Sequence, residues 1–147
     1  NFEIDKEITQ LVNEDIRISK RMIDLLVMVL ERKSYLEFGC SSAFDWLTGK
    51  KGFSPMAAQR RLGAARLLIA VPLAKEKFEK DELNITNLSK LQTAIRRQEK
   101  VHPVTPQEKL QAVEALKNTT FHKTEETLFK LFPETKSSVH QEKRQEE

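Results

Sequence analysis

Ser54-Pro55-Met56-Ala57-Ala58-Gln59-Arg60-Arg61-Leu62-Gly63-Ala64-Ala65-Arg66-Leu67-Leu68-Ile69-Ala70 carries its own helix start. Ser54 is a good N-cap, because its hydroxyl can accept from a free first-turn N–H, and Pro55 fits the first helical position, where no N–H is needed. Ala58, Leu62, Ala65 and Ile69 recur at i, i+4, i+7 and i+11, which draws one apolar face. Arg60 lies nearly opposite that face, Arg61 and Arg66 sit at its borders, and Gln59, Gly63 and Ala64 supply small or uncharged surface beside Arg60. Pro72 ends the helix.

Reading outward, the same grammar repeats. Upstream, Gly49-Lys50-Lys51-Gly52-Phe53 is a turn, preceded by a short helix over 42–48 in which Ser42 and Asp45 come close to a capping box. Trp46 there reads as a packing residue. Before it, residues 5–33 form one long helix, with Ile4, Ile8, Leu11, Ile18, Met22, Leu25 and Val29 on a stripe widened by Val12, Ile16, Ile23, Leu26 and Leu30. About 29 helical residues span roughly 43 Å at 1.5 Å each. That helix is either the spine of the domain or reaches past it to a partner. Downstream come helices over 72–80, about 87–100 capped by Thr86, about 106–117 and about 120–131. Thr105 and Glu108 around Pro106 make a full capping box. The expectation is an all-α chain of about seven helices, one helical domain over 1–133 with a helix-turn-helix-like pair at 42–70. A sub-boundary is possible at 101–106, where two prolines fall close together, and a charged disordered tail is expected over 134–147.

Composition agrees. Of 147 residues, 39% are apolar, 32% are charged and only 4 are Gly, which argues against a β-sandwich, a collagen-like repeat or a disordered chain. Cys40 is the single cysteine and cannot close an internal disulfide. The longest apolar run, Leu25 to Leu30, is far short of the roughly 20 residues a membrane span needs. Glu3, Asp5 and Glu7 stand where a signal peptide would be positive, so a cytoplasmic setting with no membrane partner is the default reading.

The net charge of +3 says little, whereas its distribution says more. From Trp46 to Lys75 there is no acidic residue, while Lys50, Lys51, Arg60, Arg61, Arg66 and Lys75 fall in that window. Lys90, Arg96, Arg97 and Lys100 form a second cluster that meets only Glu99. A basic turn and helix suit a polyanion, with arginines reaching base edges or phosphates and lysines holding the backbone. The plainer reading makes these cations a solvated face, pairs Arg61 and Arg66 with acids of the first helix, and makes Gly63 and Ala64 small because another helix packs there.

No catalytic constellation is present. His102, His122 and His140 have no metal-spaced His or Cys neighbours, and there is no phosphate loop and no nucleophile elbow. The chain is therefore expected to need no cofactor and no metal, and to be no enzyme on its own.

Two stretches together carry a resemblance. Tyr35-Leu36-Glu37-Phe38-Gly39-Cys40-Ser41-Ser42-Ala43-Phe44-Asp45-Trp46-Leu47, followed by Gly52-Phe53-Ser54-Pro55 through Arg60-Arg61-Leu62-Gly63-Ala64-Ala65-Arg66, resembles the N-terminal helical region of bacterial HNH-endonuclease-like proteins. The similarity extends over about 30–133. It implies a DNA-associated module ahead of a nuclease domain, with a DNA-contact role for Arg60, Arg61 and Arg66. The HNH motif itself is missing from these residues, so this is either a piece of such a protein or a relative without the nuclease.

Charge and resemblance together predict a double-stranded DNA-binding module, with Lys50, Lys51, Arg60, Arg61 and Arg66 as primary contacts and Arg96, Arg97 and Lys100 as a secondary patch. The rival is a protein-interaction module that dimerises along Ile8, Leu11, Ile18, Met22 and Leu25. A metal-dependent nuclease is a weaker third.

Overall fold

The computed structural model describes residues 1–133, and these are all-helical, with eight helices and no strand. The tail expected over 134–147 lies outside the described residues. In chain order the helices are α1 (Phe2–Arg32), α2 (Ser34–Glu37), α3 (Ala43–Asp45), α4 (Pro55–Ala70), α5 (Ala74–Glu79), α6 (Ile85–Gln98), α7 (Pro106–Leu116) and α8 (Phe121–Leu131). The helix beyond the seven expected is α2, a single turn made possible by Lys33, which closes α1 in the left-handed conformation at φ 54°. After α3 the chain widens into one π turn, Trp46–Lys50.

The capping grammar is realised at most starts. Ser54 Oγ accepts from the Ala57 N–H, Thr105 and Glu108 form the reciprocal box, and Ser42 Oγ accepts from the Asp45 N–H. Thr86 does not cap α6. Asn84 does, in a reciprocal box with Asn87, because Asn84 Oδ1 accepts from the Asn87 N–H while Asn87 Oδ1 accepts from the Asn84 N–H.

α4 is the hub. Ala58, Leu62, Ala64, Ala65, Leu67 and Leu68 are all buried, so its apolar face is wider than the four-residue stripe, and Ile69 at the end of that stripe is exposed. α6 packs along it, and α1 covers it with Ile23 and Leu26. α7 and α8 complete the core with Ala112, Val113, Leu116, Leu128 and Phe132, while Val104 of the proline-rich connection is buried with them. Only the C-terminal half of α1 takes part, since every residue from Phe2 to Ile18 is exposed.

No helix among the described residues is long and apolar enough to cross a membrane.

Candidate nucleic-acid interface

α4 leaves one stripe uncovered, running through Met56, Gln59, Arg60, Gly63 and Arg66. α6 leaves another, running through Thr86, Ser89, Lys90, Thr93, Arg96 and Arg97. Both stripes follow the three-and-four spacing of a helix face. The two helices lie side by side, so the stripes become the walls of one open groove of about 1070 Å³. Its floor is a close approach: a β-carbon on Gly63 would stand 2.9 Å from Ser89 Oγ.

The groove is strongly cationic. Arg60, Arg66, Lys90, Arg96 and Arg97 line it, and among the described residues no Asp or Glu does. Lys90 alone among these has a carboxylate, Glu125 at 2.6 Å, and its ammonium also lies 4.1 Å from the Phe121 ring centre at the groove rim. Among the described residues the four arginines are in no ion pair, and every salt bridge is made by a lysine. Partial burial lowers the affinity of Arg66 for its proton, and the neighbouring Arg96 charge lowers it further, with Tyr35 opposing. Arginine stays charged at neutral pH all the same. Lys90 apart, the site therefore holds like charges together with no carboxylate among the described residues to compensate them, an arrangement that an anion relieves.

The predicted contacts divide. Arg60 and Arg66 share the groove with Arg96 and Arg97, so the presumed secondary patch is the opposite wall of the primary one. Arg61 is half-buried away from it, with its guanidinium 5.0 Å from the Phe53 ring centre and Nη1 donating to the Ala57 carbonyl. Burial and the Arg60 charge lower its proton affinity, against a smaller opposing effect of Asp15. Lys50 donates to the Phe38 carbonyl, and Lys51 sits 5.6 Å from the Trp46 ring centre, which lies 5.1 Å from that of Phe38 at a tilt of 31°. Lys100 is exposed but does not line the groove. Gly63 and Ala64 are small because of helix packing: Gly63 meets Ser89, and Ala64 is completely buried. The polar residues Thr86, Ser89, Gln92 and Thr93 were not anticipated as lining. The signal was available in the polar stripe of α6 opposite Leu88, Leu91 and Ile95.

Among the described residues no three His, Cys, Asp or Glu side chains converge to hold a metal. No protein-family model, curated protein or solved structure matches the chain.

Proposed function

We propose that the protein binds DNA by seating the phosphate backbone in the α4–α6 groove. The observation that carries this is the set of four guanidinium groups, Arg60, Arg66, Arg96 and Arg97, brought to one groove with no acidic residue in its lining and no carboxylate partner among the described residues. Guanidinium forks match phosphate oxygens in two-point contacts and are costlier to leave facing one another than facing an anion. The serine and threonine hydroxyls of the walls add donors of the kind that fix a backbone in register. These contacts recognise backbone, and they specify no base sequence by themselves. A role as the DNA-associated part of an HNH-endonuclease-like protein is compatible with this site and belongs to the same proposal.

The test is a salt titration of duplex DNA binding. Four phosphate contacts give a slope of log K against log salt of about −3.6. Arg66→Glu with Arg96→Glu, one from each wall, should abolish binding at moderate salt, whereas Lys100→Glu should change it little. Equal losses from the groove pair and from Lys100→Glu would mean diffuse charge attraction only. No binding by the unaltered chain at low salt rejects the function.

A further inference from the structure

The first half of α1 has no cover among the described residues. Phe2, Ile4, Ile8, Leu11, Val12 and Ile16 are exposed, Ile8 and Leu11 each at 55%. Yet Ile4, Ile8, Leu11, Ile18, Met22, Leu25 and Val29 hold heptad spacing, with Asp15 as the one polar member of the seam. A protruding amphipathic segment with several β-branched residues gains too little from its own hydrogen bonds to be a firm helix in water. An apolar stripe of this length marks an interaction surface.

The charges identify the occupant. Glu3, Asp5, Glu7, Glu14 and Asp15 fill the first sixteen residues against Lys6 alone. Over 17–33 the balance reverses: Arg17, Lys20, Arg21, Arg32 and Lys33 face only Asp24 and Glu31. Lys20 is committed within the chain, to Asp81 at 2.6 Å, but Arg17, Arg21 and Arg32 have no carboxylate partner among the described residues. Two such helices laid parallel would set acid beside acid and base beside base. Laid antiparallel, each acidic half meets the other's basic half. We infer that α1 pairs antiparallel with α1 of a second copy of this chain, through Ile4, Ile8, Leu11, Ile18 and Leu25. Met22, on the same stripe, is half-buried against its own core and contributes only an edge.

Sedimentation equilibrium of the full chain without DNA reads this directly and independently of the groove. The expected mass is about twice 17.0 kDa. Ile8→Glu with Leu11→Glu should return it to the monomer; both side chains are exposed, so the near-ultraviolet signal of Trp46, packed against the folded core, should persist. Orientation is read by spin labels in Asn1→Cys with Cys40→Ser. Antiparallel helices hold the two labels more than about 30 Å apart, at 1.5 Å per residue, whereas parallel ones hold them within roughly 20 Å. A monomer at tens of micromolar (roughly a weak-interface threshold) overturns the inference, as does a short label distance or a dimer indifferent to the paired Glu substitutions.

Discussion

Gly63 shows how one missing methyl shapes the site. Its place facing Ser89 keeps the two basic stripes within one groove, and a side chain there must displace something. For alanine the obstacle is a hydroxyl that can rotate away, and the better helix propensity of alanine offsets the adjustment. Gly63→Ala should therefore lie within about 1 kcal/mol of the original stability, whereas Gly63→Leu should cost about 1–3 kcal/mol by overpacking the α4–α6 contact. Urea unfolding midpoints separate the two. The arginines make a second prediction at this scale. Neither His102 nor His122 lines the groove, and arginine stays charged near neutrality, so DNA affinity should be flat between roughly pH 6 and pH 9. A steep fall across that range would point to a titrating group outside the groove.

Between elements, the start of α6 is tied to the start of α8 by a buried polar contact. Asn87 Nδ2 donates to Thr124 Oγ1 at 2.8 Å, and Thr124 is fully buried while its hydroxyl donates to the Thr120 carbonyl. Asn87 is also half of the α6 capping box, so one side chain fixes a helix terminus and the neighbour that packs on it. Thr124→Val keeps the shape but strands the Asn87 amide, at a cost of about 1–3 kcal/mol in unfolding free energy. The link between α5 and α7 is electrostatic: Lys77 lies 2.8 Å from Glu114. Its hydrogen bond, aided by its charge, holds the Glu114 carboxyl below the ordinary 4.5. A depressed carboxyl contributes stability above its unfolded value and loses it as pH falls through the folded value. The stability gap between the original chain and Glu114→Gln should thus be small at pH 7, because the Glu114 carboxylate is exposed, and should close in acid. Denaturation curves at both pH values check the sign.

For the whole molecule, the groove on α4 and α6 and the overhanging half of α1 are separate surfaces built from separate residues. Substitutions in one should leave the other's measurement alone: Arg66→Glu with Arg96→Glu should not change the sedimented mass. Ile8→Glu with Leu11→Glu should leave the affinity of a single groove for a short duplex within about threefold, as expected for distant sites that add independently. Loss of both properties from either pair would mean that the two surfaces are coupled through the fold.

Helix class, order and most boundaries were legible in the chain because they depend on neighbours in sequence. The Ser54-Pro55 start, the Thr105–Glu108 box and the apolar periodicities are contacts between residues three or four apart. The α6 start was misplaced to Thr86 because Asn84 and Thr86 are both acceptable caps locally, and packing of Asn87 against Thr124 favours the first. The two basic clusters could be counted from the sequence, but their meeting could not: Arg66 and Arg96 are thirty positions apart, and only the packing of α4 on α6 makes them walls of one groove. Packing likewise turned Arg61 onto Phe53, and left the first half of α1 outside the core although its apolar pattern resembles that of the buried half. Local chemistry determined what each helix is and which stripes it carries; only burial in three dimensions decided which stripes are spent on the core and which still face water.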